Sequence, residues 1–197
     1  MPSDTMPRLE TGRAPPCRAQ ILNGRFDGLT ADQTVEELIR AIRAGERGIL
    51  STVNVAILMM MRSSPRLQRF VDGSRWTVAD GQPLVWASHL WQQPLPERVA
   101  GIDLIDKLCA RAVQEEIGVY FLGAEANTVR TAVRVLRRRH RGLDVRGLGR
   151  DPLGLFLRVG DRLALQHHPS AEAARRRHLH MRRRLRHRSA ALLRAAT

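Results

Sequence analysis

Short apolar stretches alternate with amphipathic stretches along most of the chain. Three apolar stretches end abruptly at a glycine or a polar residue, and each is followed by a segment with helical spacing. The apolar stretches are 48–53, 76–79 and 119–123, and the helical segments are 56–62, 84–88 and 127–140. Strand–loop–helix units in succession predict an α/β fold, a Rossmann-like parallel sheet with flanking helices.

Polar residues stand where the first two of these strands end. Thr52 and Asn54 close the first, and Asp80 and Gly81 follow the second. Ligands of open parallel sheets bind outside the carboxyl ends of the strands. There a carboxylate can act as a general base or hold a sugar hydroxyl, and a glycine lets substrate approach the backbone closely. The alternative is structural, because Asp-Gly is commonly a turn and Thr-x-Asn a strand end.

A polar loop before the third strand carries a further candidate group. The apolar residues beyond it recur with helical spacing: Ile105, Leu108, Cys109 and Ala112. Gly101 and Asp103 lie near the predicted helix start, where free N–H groups bind anions. Arg98 lies just upstream, and its guanidinium suits two diphosphate oxygens. The alternative is that Asp103 caps the helix and Arg98 is solvated.

Four strings agree in order and spacing with a known family. They are Thr52-Val53-Asn54, the segment 79–87, the segment 96–104, and Phe121-Leu122-Gly123. Together they resemble the WecG/TagA/CpsF family of glycosyltransferases, glycosyltransferase family 26. The resemblance extends from about Asp27 to about Gly149.

The resemblance implies a function. It implies a fold without a metal-binding DxD motif and an enzyme without a cofactor. The donor would be a UDP-sugar carrying a hexose or N-acetylhexosamine such as N-acetylmannosamine. The acceptor would be a polyprenyl-diphosphate-linked saccharide in the synthesis of teichoic acid, exopolysaccharide or another cell-envelope polymer.

The resemblance also implies roles for the strand-end residues. Asp80 matches the proposed catalytic base, and Thr52 and Asn54 match residues that line the donor pocket. Arg98 matches an arginine near the diphosphate. Gly81, Gly101 and Asp103 belong to the same pocket and count with these as substrate-binding residues.

The last part of the chain departs from this pattern. The formal net charge is +14, and the excess of arginine lies from Arg134 onward. After Asp151 no segment matches the family's Gln-Glu motif, so a truncated family sequence with an incomplete sheet is predicted, and whether the enzyme is active or inactive without that motif stays open. Residues 151–197 are predicted to form an exposed helix or to be disordered. A change of reading frame is the favoured origin, ahead of a helix on anionic lipid and a nucleic-acid-binding arm.

The remaining features of the sequence concern how the chain is divided and whether it carries disulfides, metal ligands or membrane segments. Residues 1–20 are predicted to be a disordered leader and 21–150 the α/β domain. Two cysteines make no disulfide framework, and His167, His168, His178 and His180 lack carboxylates at ligand spacing, so no metal is expected. No segment resembles a signal peptide or a membrane span.

These features predict a bacterial cytoplasmic protein, peripheral at the inner face of the plasma membrane. Nucleic acid is not an expected partner. A second functional hypothesis is a basic binding protein whose α/β core is a scaffold for an arginine-rich arm on anionic membrane or nucleic acid.

Overall fold

The computed structural model describes residues 18–123, 126–149, 155–159 and 163–167. The strands are β1 (Arg18–Ile21), β2 (Gly24–Asp27), β3 (Gly48–Val53), β4 (Trp76–Ala79), β5 (Val119–Gly123), β6 (Val145–Gly149), β7 (Leu155–Val159) and β8 (Leu163–His167). The helices are α1 (Ala31–Arg43), α2 (Val55–Ser63), α3 (Pro65–Asp72), α4 (Gln82–Leu90), α5 (Gly101–Gln114) and α6 (Ala126–Arg139).

Six of these strands form one sheet, in the order β4-β3-β8-β7-β5-β6. Strands β3 and β4 are parallel, as are β5 and β6, and β3 and β8. The predicted α/β fold with parallel strand pairs among flanking helices is therefore confirmed. Its three predicted strands are β3, β4 and β5.

The prediction that residues after about Asp151 do not complete the sheet is wrong for two segments. Strands β7 and β8 pair with each other antiparallel and lie in the middle of the sheet, where β8 pairs with β3 and β7 with β5. Both segments are rich in apolar residues, and without them β3 and β5 would each present an unpaired edge. The prediction failed because it rested on the high arginine content of residues 151–197, which does not show that β3 and β5 need strand partners.

Two other predictions about the ends of the chain meet the structure only in part. Arg18, Ala19 and Gln20 belong to β1, so the predicted leader is wrong for these three residues, and its remainder lies outside the described part. His167 ends β8, whereas His168, His178 and His180 lie outside the described residues. The predicted division into domains stays a prediction.

The two faces of the sheet pack against different helices. Leu50 and Val78 belong to a core cluster shared with α1, α5 and α6, whereas Val53 and Ala79 belong to a second cluster shared with α2, α3 and α4. Successive side chains of a strand point to opposite faces, so these clusters lie on opposite sides of the sheet. The chain after β3 therefore stays on the second face through α2 and α3, whereas the chain after β4 begins on that face with α4 and crosses to the first face at α5.

The β1–β2 hairpin packs against β4 at the end of the sheet order. Asp27, which is buried, accepts hydrogen bonds from the backbone nitrogen of Thr77 and from Nε of Arg18, both at 2.7 Å. Burial raises the pKa of Asp27, although these two hydrogen bonds act in the opposite direction. A carboxylate thus satisfies a backbone donor of β4.

Helices α1 and α5 lie side by side on the first face and are joined by ion pairs. Lys107 pairs with Asp32, Arg111 with Glu36, and Arg43 with Glu115. Exposed pairs of this kind each stabilise a protein by about 0–1 kcal/mol. Beneath them Cys109 is fully buried, as its place on the apolar face predicted, and burial raises the pKa of its thiol to about 12.

Candidate active site

The carboxyl ends of β3 and β4 lie next to each other. Val53 and Ala79 are partners in the parallel register, and the backbone nitrogen of Asp80 donates to the carbonyl oxygen of Val53 at 2.9 Å. Asn54 and Asp80 therefore follow neighbouring strand ends. The connection from β3 to β4 stays on one face, and the connection that leaves β4 crosses to the other face at α5, so this is the kind of crevice in which α/β sheets bind ligands.

Asn54 begins α2 and has a structural role. Its Oδ1 accepts a hydrogen bond from the backbone nitrogen of Ile57 at 3.0 Å, so the side chain caps the helix. Thr52 lies two residues earlier on β3, between its register partners Val78 on β4 and His167 on β8, and only 2% of it is exposed. Both residues lie at the predicted edge, with Thr52 buried at the bottom of the crevice and Asn54 at its opening.

Gly81 lies beside Asn54. A Cβ built on Gly81 would lie 3.9 Å from the Cβ of Asn54 and 3.8 Å from Cδ of Pro83, which are ordinary contacts. Its φ of 173° is extended backbone that any residue adopts. Neither conformation nor packing within the described structure requires glycine here.

A loop anchored by a few buried residues brings the start of α5 to the same edge. The backbone nitrogen of Val99 donates to the carbonyl oxygen of Ala79 at 2.8 Å, and that of Leu95 donates to Oγ of Ser88 at 2.8 Å. Leu95 and Val99 are buried, as is Ala100. The loop that carries Arg98 is therefore anchored along the end of β4.

Glu97 adds an anchor that the sequence did not indicate. Its Oε1 accepts a hydrogen bond from the backbone nitrogen of Ala31, the first residue of α1, at 2.6 Å. This contact ties the loop to α1. No spacing in the sequence relates positions 31 and 97, and only the need of a helix start for acceptors could have suggested such a partner.

Asp80 bridges the strand end and the helix start. Its Oδ2 accepts a hydrogen bond from the backbone nitrogen of Gly101 at 3.3 Å, and α5 begins at Gly101 without a side-chain cap from its own N-cap residue, Ala100. The positive end of the helix dipole favours a negative charge at this position. The carboxylate is thereby oriented at the mouth of the crevice.

Arg98 and Asp103 form an ion pair across the same helix start. Nη2 of Arg98 donates to Oδ2 of Asp103 at 3.2 Å, and the two side chains are 46% and 55% exposed. The alternative in which Arg98 is merely solvated does not describe this contact. An exposed pair contributes little to stability and opens readily, so Asp103 positions Arg98 without locking it.

The seven predicted residues therefore lie along one edge of the sheet. Thr52, Asn54, Asp80, Gly81 and Gly101 are connected by register, contact or hydrogen bond, and Arg98 and Asp103 form a pair in the loop and helix that Asp80 contacts. Within the described residues, no three His, Cys, Asp or Glu side chains group closely enough to hold a metal ion. The edge offers a carboxylate, helix N–H donors and a guanidinium.

This fold and edge place the chain among α/β proteins, a class whose ligands bind outside the carboxyl ends of parallel strands. The model of the glycosyl transferase WecG/TagA/CpsF family matches residues 19–159, and the chain belongs to this family. The resemblance found in the sequence is confirmed.

Curated relatives narrow the comparison. The chain is 29% identical over 130 residues to the N-acetylglucosaminyldiphosphoundecaprenol N-acetyl-beta-D-mannosaminyltransferase of Staphylococcus aureus strain COL. It is 28% identical to the protein of the same name from another Staphylococcus aureus strain. In both cases the match covers 65% of this chain and 51% of the relative, so the chain spans about half the length of the curated relatives it matches.

Proposed function

We propose that this chain transfers a hexose or N-acetylhexosamine from a UDP-sugar to a polyprenyl-diphosphate-linked saccharide. The observation that carries the proposal is the carboxylate of Asp80 at the end of β4, hydrogen-bonded to the first residue of α5. Family membership supplies the reaction class. The names of the relatives support N-acetylmannosamine as the sugar and an N-acetylglucosaminyl diphosphoundecaprenol as the acceptor.

In this proposal Asp80 is the general base. An acceptor hydroxyl attacks the anomeric carbon of the donor, the bond from that carbon to the diphosphate oxygen breaks, and the hydroxyl proton passes to the carboxylate. The hydrogen bond from Gly101 holds the carboxylate in one orientation before the acceptor arrives. A preoriented base avoids reorganisation during the reaction.

The leaving UDP carries negative charge, which the start of α5 and Arg98 are placed to stabilise. The first N–H groups of a helix have no intrahelical partner and bind phosphate oxygens. Arg98 lies just before this helix start and contacts Asp103 through one of its nitrogens. A guanidinium has several N–H donors, so it can also bind a diphosphate.

The donor pocket is assigned to Thr52, Asn54 and Gly81. Thr52 is buried at the floor, and Asn54 lies beside Gly81 at the rim. Since no structural constraint explains a glycine at position 81, close approach of a substrate to the backbone is the remaining reason for it. Gly101 and Asp103 complete the pocket from the side of α5.

The setting of this reaction would be the cell envelope. A lipid-linked acceptor would bring the enzyme to a membrane surface, and we propose that this is the inner face of the plasma membrane, reached from the cytoplasm. No helix of the described residues is both long and apolar enough to cross a bilayer. The hypothesis of a basic binding protein finds no support in the comparisons, and most of its arginine-rich arm, residues 168–197, lies outside the described residues.

Two measurements on the full chain test the proposal. Calorimetry with UDP and with UDP-N-acetylmannosamine measures donor binding independently of turnover. Transfer is then measured with a short-chain lipid-linked N-acetylglucosamine acceptor, using UDP-glucose and UDP-N-acetylglucosamine as competing donors. Binding of UDP together with sugar transfer would support the proposal, and absence of UDP binding would refute it.

A further inference from the structure

Two segments beside the candidate site contain no charged residue. Residues 48–61 and 81–96 lack Asp, Glu, Lys and Arg, in a chain in which 26% of the residues are charged. The segments comprise β3 with most of α2, and α4 with the loop after it. Both helices pack on the same face of the sheet and begin at the neighbouring residues Asn54 and Gly81.

Large apolar side chains of these segments are exposed. On α4 and just after it, Trp86 is 66% exposed, Leu90 83% and Trp91 51%. On α2, Val55 is 40% and Met60 56% exposed. The second residue of α5, Ile102, is 61% exposed beside the Asp80–Gly101 contact. We name these six residues the apolar rim: Val55, Met60, Trp86, Leu90, Trp91 and Ile102.

We propose that the apolar rim docks on the surface of an anionic lipid bilayer. This inference rests on the proposed function, because a polyprenyl-linked acceptor has its lipid in the membrane and its sugar at the surface. All three helices of the rim begin at the edge that carries Asp80. Docking there would let the acceptor sugar reach Asp80 while its lipid stays in the bilayer.

The chemistry of the rim favours a bilayer over a protein partner. Indole rings have an apolar body and a polar N–H and are enriched at the level of lipid headgroups. Residues 48–61 and 81–96, which carry five of the six rim residues, contain no charge with which a protein partner could form ion pairs. Exposed apolar patches of several side chains mark interaction sites rather than ordinary surface.

The charges around the rim complement an anionic surface. Between residues 48 and 96 the only acids are Asp72 and Asp80, whereas Arg62, Arg66 and Arg69 are exposed at the ends of α2 and on α3. Long basic side chains beside an apolar patch extend to lipid headgroups. The face formed by α1 and α5 differs, because its charges are paired with one another as on a solvated surface.

The three tryptophans of the chain allow a direct test. Trp86 and Trp91 belong to the rim, whereas Trp76 is 5% exposed in the core and serves as an internal reference. With vesicles of equal parts phosphatidylglycerol and phosphatidylcholine, we expect a blue shift of the emission and quenching by lipids brominated on the acyl chain. An emission spectrum unchanged by vesicles at saturating lipid would overturn the proposal.

Substitutions locate the docking surface. Trp86→Ser with Leu90→Ser is expected to lower vesicle partitioning about tenfold or more, since two exposed apolar side chains are lost. Val135→Ser is the matched control, because Val135 is 48% exposed on α6 and outside the rim. Measurement at high salt removes the purely electrostatic binding expected of the arginine-rich end of the chain. Equal partitioning of the double variant and the control would refute docking through the apolar rim.

Enzyme assays separate this inference from the proposed function. The double variant is expected to keep its activity toward a water-soluble short-chain acceptor and to lose activity toward the same sugar on a long-chain lipid in vesicles. Unchanged activity on both acceptors would refute docking without contradicting the proposed transfer reaction. Equal loss on both would also refute docking, because it would place the two side chains in the transfer step itself. A self-association that the double variant abolishes, without vesicle binding of the parent chain, would assign the rim to a second copy and overturn the proposal.

Discussion

Oδ2 of Asp80 lies 3.3 Å from the backbone nitrogen of Gly101, across a separation of 21 residues in the chain. This contact places a strand-end carboxylate on the start of a helix. Both groups belong to the proposed site, so the contact has two consequences. It orients the base, and it holds the anion-binding helix start next to it.

The first prediction concerns Asp80. Asp80→Asn is expected to lower kcat by about 10²–10⁴-fold, because an amide cannot take the proton of the acceptor. The amide oxygen can still accept the hydrogen bond from Gly101, so Tm is expected to change little. Transfer kinetics and thermal unfolding measure the two effects. Unchanged turnover in a folded variant would remove Asp80 from the role of base.

The second prediction concerns Arg98. Arg98→Ala is expected to weaken UDP binding by roughly 1.5–3 kcal/mol, through loss of a charge-assisted contact, as measured by calorimetry. Arg43→Ala is the matched control, because Arg43 also forms an exposed ion pair, with Glu115, but lies on α1. Similar UDP affinity of the two variants would show that Arg98 does not contact the diphosphate.

The third prediction concerns the reason for Gly81. Gly81→Ala is expected to leave the stability within about 0.5 kcal/mol, since its Cβ has room, and to raise KM for the donor sugar. Gly24→Ala is the contrasting control, because its Cβ would lie 2.7 Å from Cδ1 of Leu58 and must disturb the core. Normal donor kinetics in Gly81→Ala would place the substrate elsewhere.

The fourth prediction concerns the central hairpin. Deleting 152–197 removes β7 and β8 and leaves β3 and β5 with unpaired edges in the middle of the sheet. We expect that deletion to abolish cooperative unfolding or to lower Tm strongly. Deleting only 168–197 keeps both strands and is the matched control. Equal Tm values for the two deletions would show that the hairpin does not contribute to the folded sheet.

The fifth prediction concerns the pH dependence of stability. Burial raises the pKa of Asp27 above its ordinary value of 3.8, although bonds from Thr77 and Arg18 oppose the shift. A raised pKa means that the folded state binds the proton more tightly, so this contribution is present below pH 3.8 and is lost as pH rises through the folded pKa.

Asp106 contributes to the pH dependence of stability in the opposite direction. Desolvation acts to raise its pKa, but hydrogen bonds from His140 and Arg139 prevail and lower it. The contribution of Asp106 to the free energy of unfolding is therefore present above its ordinary pKa and is lost in acid.

A substitution of Asp27 separates the two contributions. We expect Asp27→Asn to remove only the component of the unfolding free energy that falls with rising pH, in urea titrations across the acidic range. An unchanged slope in that variant would contradict the assignment.

The amino-acid sequence by itself determined the local elements and the residue types at their ends. The apolar periods predict β3, β4, β5 and the helices after them, because the spacing of apolar residues is a local property of the chain. Polar residues at strand ends indicate a site edge for the same reason. The start of α1 is less clear from the sequence, since its first turn, residues 31–34, carries no apolar period.

Only the tertiary structure decided which distant segments meet. The contacts of Asp80 with Gly101 and of Glu97 with Ala31 depend on how a loop crosses the sheet edge, which no spacing encodes. The insertion of β7 and β8 between β3 and β5 is a pairing of strands far apart in the chain. Backbone hydrogen bonding carries no side-chain signature. The strand order therefore follows from pairing the backbone N–H and C=O groups of the strands inside the sheet rather than from local composition.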